Sequence, residues 1–176
     1  MTWLLIAAFA ATIPAANWMI GNVGTTCTPD GLCLIPVWPG VMAPSGVLAI
    51  GAALVLRDLV QRRAGSVWAL VAVMTGTLLS FWVAPPALAV ASASAFLLSE
   101  LADFAVFTPL YRRRLALAVA ASGVAGAIVD SALFLWLAFG DLAHLQGQVI
   151  GKLYATVLFA SWLWMRRRPF RGASAG

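Results

Sequence analysis

The chain has 176 residues, 62% of them hydrophobic and 10% charged, with a mean hydropathy of +0.95. A soluble domain is nearer half apolar and a quarter charged, so this composition excludes a soluble globular protein and marks an integral membrane protein. The net charge of +5 does not point to nucleic acid, because nine of the eleven Lys and Arg fall in the clusters Arg57 to Arg63, Arg112 to Arg114 and Arg166 to Arg168. Each cluster ends an apolar segment, as juxtamembrane topology signals do.

Trp3 to Ile20 is an uncharged run of 18 residues, with Pro14 expected to kink it. It lacks the basic n-region of a cleaved signal, so it is expected as a retained first helix. Gly21 to Gly40, rich in Gly, Pro and Thr, is expected as an outer loop. It holds both cysteines in CTPDGLC, where a disulfide between Cys27 and Cys33 competes with free thiols. The second segment covers 44–60 and ends in Arg57-Asp58-Leu59-Val60-Gln61-Arg62-Arg63. No charge occurs from Ala64 to Ser99. That run is too long for one span of roughly 20 residues, and Pro85-Pro86 divides it into 66–84 and 87–107. Segments at 115–139, closed by Gly140 and Asp141, and 145–165, stopped by Arg166-Arg167-Arg168-Pro169, complete the set. Backbone groups in lipid must be satisfied within each segment, so all six are helices.

The expected fold is therefore an all-α integral membrane protein, one transmembrane domain over 1–176 with spans 3–20, 44–60, 66–84, 87–107, 115–139 and 145–165. Basic clusters follow the even-numbered spans, which puts both termini in the cytoplasm. Residues 172–176 are expected as a loose tail. Trp3, Trp38, Trp82, Trp162 and Trp164 fall near the interfaces; Trp18, Trp68 and Trp136 fit either an interface or a site.

Asp58, Glu100, Asp103, Asp130 and Lys152 lie in stretches that are otherwise hydrocarbon. A charge at membrane depth costs roughly 3 kcal/mol on insertion scales and persists where it faces other helices or a polar cavity. Phe96, Glu100, Asp103 and Phe107 are spaced four, three and four apart, so two carboxylates and two rings share one helix face. Glu100 is the deeper acid; Asp103 is equally well read as a salt bridge to Arg112 to Arg114. Ser122, Gly126, Asp130 and Phe134 recur every four residues, and small residues at that spacing let a neighbouring helix approach closely. Gln148 and Lys152 share a face one turn apart, and Lys152 is placed to pair with Asp130, either structurally or at the border of a cavity. Arg57, Asp58 and Gln61 end the second segment, where Arg57 alone could be a topology charge. Asn17 is an amide in an apolar helix that bonds either a neighbour or a ligand.

No phosphate loop of the form G-x-x-x-x-G-K-[ST] occurs, so the chain hydrolyses no nucleotide. His144 has no nucleophile elbow to serve. Enzymatic activity, a cofactor and a metal site are not expected.

In order, Ala16-Asn17-Trp18, Ala43-Pro44-Ser45-Gly46, Leu56-Arg57-Asp58-Leu59-Val60-Gln61, Ser99-Glu100-Leu101-Ala102-Asp103 with Phe107, Ser122 to Ser131, Leu137-Ala138-Phe139-Gly140 and Gly151-Lys152 resemble the VUT family of vitamin-uptake and queuosine precursor transporters. The resemblance implies a six-helix inner-membrane importer of 7-deazapurines, similar in fold to the substrate-binding components of energy-coupling-factor transporters. The substrate-binding candidates are Asn17, Arg57, Asp58, Gln61, Phe96, Glu100, Asp103, Asp130, Gln148 and Lys152. Glu100 is expected to accept the donor edge of the base, with Phe96 or Trp136 stacking on the ring. Expected partners are the small-molecule substrate and the bilayer, and not nucleic acid; a homo-oligomer and a separate ATPase module stay open. The alternatives are a binding subunit that depends on such an ATPase, and a structural membrane protein in which the buried charges merely pair.

Overall fold

The computed structural model describes residues 2–28, 32–84 and 86–165. The Arg166 to Arg168 cluster, the tail at 172–176 and the side chain of Trp164 lie outside the described residues. The helices are α1 (Thr2–Asn22), α2 (Val47–Ala64), α3 (Ser66–Val83), α4 (Ala89–Leu110), α5 (Leu115–Phe139) and α6 (Leu145–Met165). A 3-10 turn at Pro86–Leu88 separates α3 from α4, since the missing N–H of proline interrupts the helical ladder. Gly140, at φ +72°, closes α5 in the left-handed conformation that suits glycine. The fourth helix runs three residues past the expected end at Phe107 and carries Pro109 in its last turn.

The expected outer loop is not irregular. It contains β1 (Thr26–Cys27) and β2 (Cys33–Trp38), which with β3 (Val41–Pro44) beyond it form an antiparallel sheet in the order β1-β2-β3, so the second helix covers Val47–Ala64 and not 44–60. Pro39 and Gly40, the latter at φ +75°, turn β2 into β3. The two-residue β1 pairs only with Cys33 and Leu34, so Pro36 in β2 lies beyond the pairing that its absent N–H would have broken. A disulfide joins Cys27 to Cys33. The sheet seats on the bundle through a core of Val37, Ala43 and Val47 with Ile150 packed against it, and the Tyr154 hydroxyl donates to the Val37 carbonyl.

Four helices, α1, α3, α4 and α5, are long and apolar enough to cross a membrane. Among the described residues α2 and α6 are similar in length, at 18 and 21 residues, but too polar to meet that measure. Six of their polar side chains point inward: Arg57, Asp58, Gln61, Gln148, Lys152 and Thr156 are buried. Apolar side chains face out instead, with Trp82 82%, Val67 74% and Leu158 72% exposed. A surface of that kind is matched to lipid. Every tryptophan whose side chain is described is exposed, Trp18, Trp68 and Trp136 included.

The most extensive helix pair is α4 with α5, and the small residues of α5 are the reason. A Cβ built on Gly126 would come within 2.8 Å of Leu54 Cδ2 and 3.1 Å of Asp103 Cβ. One on Gly123 would strike the Thr156 side chain at 2.5 Å. Glycine at these two positions lets α4 and α6 close on α5.

Candidate functional site

Asp130, midway along α5, and Lys152, two turns into α6, form an ion pair at 2.6 Å. The Lys152 ammonium also donates to Gln148 Oε1 at 2.7 Å and to Ser131 Oγ at 2.8 Å. Its three hydrogens thus meet three acceptors, which is what permits an ammonium that is 1% exposed. The other oxygen of Asp130 accepts from Ser99 Oγ of α4 at 3.3 Å.

This pair borders a cavity lined by α1, the β3–α2 junction, α2, α3, α4, α5 and α6. The cavity encloses about 680 Å³ between atoms, its open mouth included. Ile13, Ile20, Val47 and Ile50 supply aliphatic wall, Phe96 and Phe134 supply rings, and Asn17, Ser80, Ser92, Asp130, Gln148 and Lys152 supply polar groups. Sequence motifs read above have local causes here. Gly46 is where α1 and α2 touch, because a Cβ there would lie 2.8 Å from the Ala16 carbonyl. Ser45 Oγ donates to the Met19 carbonyl at 2.6 Å and ties the end of α1 to the start of α2. The Asn17 amide donates to Ile13 O at 3.0 Å within its own helix, and its side chain borders the cavity.

A second cluster lies further along the bundle. Arg57 on α2 is fully buried. Its Nε donates to Glu100 Oε2 at 3.3 Å, its Nη1 to Gln61 Oε1 at 2.7 Å, and its Nη2 to Asp103 Oδ2. Asp58 Oδ1 is 3.1 Å from the same Nη2. The rings of Phe104 and Phe107 lie 5.7 and 5.5 Å from the guanidinium carbon, within cation–π range. Ser122 Oγ of α5 donates to Asp58 Oδ2 at 3.2 Å, and the Gln61 amide reaches Thr108 at 2.9 Å and Ser66 at 3.4 Å.

The ten candidates from the sequence thus divide into two groups of five. Asn17, Phe96, Asp130, Gln148 and Lys152 line the cavity; Arg57, Asp58, Gln61, Glu100 and Asp103 form the second cluster and do not line it. Four expectations need correcting. Glu100 is 1% exposed and engaged by Arg57, so the carboxylate at the cavity is Asp130. Trp136 is 62% exposed and does not line the cavity, where the second ring is Phe134. Asp103 pairs with Arg57, not with Arg112 to Arg114, which are exposed, and Arg57 is no surface topology charge. Phe134, Ser80 and Ser92 were missed as cavity residues. Phe134 carried a signal, the four-residue repeat it shares with Asp130; the serines carried none.

A helical bundle with a lipid-matched exterior and a polar-lined interior cavity is a multi-pass membrane protein. Residues 80–165 match the family model described as "Putative vitamin uptake transporter", so the resemblance to that family is shown over this stretch. No curated protein and no solved structure matches the chain. The matched stretch carries Glu100, Asp103, Ser122, Asp130, Gln148 and Lys152, the polar positions that α4, α5 and α6 contribute to both clusters.

Proposed function

We propose that the chain is an inner-membrane importer of a queuosine precursor, 7-cyano-7-deazaguanine or a related 7-deazapurine, and that this molecule binds in the cavity beside Asp130. The observation that carries the reading is the layout of that cavity: two rings, aliphatic walls, and a carboxylate, an ammonium and an amide gathered on α5 and α6. A guanine-like edge presents a ring N–H beside an exocyclic amine, and a carboxylate accepts both in parallel. Asp130 takes that part, which the family resemblance led us to expect of Glu100. The Gln148 amide, whose oxygen is held by Lys152, keeps its N–H groups as donors for the base carbonyl, and Phe96 and Phe134 are surfaces for the flat bicycle. Sites built on such donors reject analogues that lack them, because a buried acceptor then goes unpaired.

In this reading the chain is one six-span domain with both termini in the cytoplasm. The exposed Arg62, Arg63 and Arg112 to Arg114 flank the inner face, and the sheet with its disulfide faces out. The test is binding to purified protein, with 7-deazaguanine competing against 7-deazahypoxanthine, for wild type and Asp130→Asn. Wild type should prefer 7-deazaguanine by tenfold or more, about 1.4 kcal/mol, and the variant should lose the preference. Equal competition in wild type would refute the assignment. Uptake by the chain alone in liposomes separates an importer from a subunit that depends on an ATPase.

A further inference from the structure

Among the described residues the bundle interior holds two cations, Arg57 and Lys152, against four carboxyls, Asp58, Glu100, Asp103 and Asp130. Lys152 is committed to Asp130. Arg57 alone therefore faces Asp58, Glu100 and Asp103, each 2% exposed or less. With all three ionised the cluster would hold two uncompensated charges, and an unpaired buried charge costs several kcal/mol. No other element relieves this. α1 and α3 contain no titratable residue. α5 offers only Asp130, α6 only Lys152 and Tyr154, the latter bound to Val37. Arg62 and Arg63 are exposed. The neutral donors are Ser122, already on Asp58 Oδ2, and Gln61, whose amide is spent on Ser66 and Thr108.

Two oxygens mark where the deficit sits. Asp103 Oδ1 is buried with no partner, and Asp58 Oδ1 is buried without a hydrogen bond, held only by its ion-pair contact at 3.1 Å to Arg57 Nη2, the nitrogen that both carboxyls share. A metal cation would need a shell of about six oxygens around a point already occupied by the guanidinium. A proton needs one lone pair.

We propose that the Asp58–Asp103 pair is the binding site of a proton co-transported with the substrate, separate from the substrate cavity. This rests on the importer reading. The proton adds to a carboxylate oxygen as an O–H bond and leaves inward to water or buffer, with no redox step. One residue step separates the two sites: Ser99, whose hydroxyl lies 3.3 Å from Oδ1 of the cavity-lining Asp130 and 3.0 Å from the Phe96 carbonyl, is adjacent in sequence to Glu100. A change of charge around Arg57 is thereby felt at the substrate carboxylate.

The site is tested first without substrate, by infrared spectroscopy of the purified protein at pH 7. A carboxylic-acid carbonyl band that shifts in heavy water should be present in wild type and in Asp141→Asn, and lost in Asp58→Asn/Asp103→Asn. Because an amide resembles a neutral carboxyl, Asp103→Asn should keep the thermal stability of wild type. No acid band, together with a destabilised Asp103→Asn, would reduce the cluster to a structural ion-pair network. Coupling is tested in proteoliposomes with labelled 7-cyano-7-deazaguanine. At one proton per molecule, one unit of inward pH gradient supports up to about tenfold accumulation, and Asp103→Asn should abolish accumulation while keeping substrate exchange. Accumulation driven by sodium, or indifferent to the proton gradient, overturns the proposal. An acid band with no uptake under any gradient overturns the importer reading, and coupling with it, but leaves the proton site in place.

Discussion

Removing one member of the Asp130–Lys152 pair is the sharpest test of how the interior of this bundle is held together. Lys152→Met leaves Asp130 with Ser99 alone at 3.3 Å. Asp130→Asn leaves an ammonium with neutral acceptors only, Gln148 and Ser131 at 2.7 and 2.8 Å. Breaking a buried pair from one side typically costs about 3–5 kcal/mol. The double variant removes both charges. It loses the ammonium's donations to Gln148 and Ser131, about 1 kcal/mol each. The coupling energy should therefore reach at least about 3 kcal/mol. Lys152→Met should be the milder single change where water reaches the cavity, since the Asp130 side chain is 9% exposed and that of Lys152 only 2%. The assay is reversible unfolding in mixed detergent micelles, run on all four proteins. Additive losses would refute the pairing argument, whatever the size of each.

Other expectations follow from single observations. Thiol labelling of the unreduced, denatured protein should find no free cysteine, because Cys27 and Cys33 are bonded; two reactive thiols would contradict it. Gly126→Val should cost about 1–3 kcal/mol by overpacking α5 against Leu54 and Asp103, and a variant as stable as wild type would show that the helices can separate freely. Arg57→Lys keeps the charge but cannot reach Glu100, Gln61 and Asp103 through one planar fork. A loss of about 1–3 kcal/mol on unfolding in detergent is expected, and none at all would mean that charge alone suffices. For orientation, cysteine at Thr25 should label from outside and at Ser174 from inside, in a chain whose own cysteines are serine.

The helices were legible because lipid removes choice. A largely apolar run must satisfy its own backbone, so Leu115–Phe139 and Leu145–Met165 could be bounded from hydropathy and from the flanking glycine, arginine and proline. The sheet was not legible, because Cys33–Trp38 contains a proline and its strand partners are set by tertiary seating on Ile150 and Tyr154. The same division holds at the site. Helix periodicity correctly put Phe96, Glu100, Asp103 and Phe107 on one buried face. It could not say that this face meets two different environments, Phe96 at the cavity and Glu100 and Asp103 on Arg57. Charge clustering misled in one place. Arg57 is five residues from Arg62 and reads as part of a surface group, yet a helix turns it inward.

The two helices that fail as spans by composition are the ones on which the interior depends. α2 brings Arg57, Asp58 and Gln61 and α6 brings Gln148, Lys152 and Thr156, and all six side chains are buried against apolar-looking α4 and α5. On the lipid-facing side of either helix the charged ones would bear the cost of a charge in the membrane. Surrounded by the other helices, they need not face lipid at all. Gly51 allows this, because a Cβ there would collide with the backbone of Lys152, so α2 and α6 touch at the level of the cavity. The polar residues therefore occur in two layers along a shared axis, Asp130 with Lys152 at the cavity and Arg57 with its three carboxyls beyond it. Ser99 on α4 stands between them, bonded to the first layer and next in chain to the second. A molecule that neutralised Asp130 would change the field at Glu100 through a single residue step. On the proposed reading the surplus acids serve coupling; for stability alone they are a cost, because each unpaired buried charge destabilises the bundle.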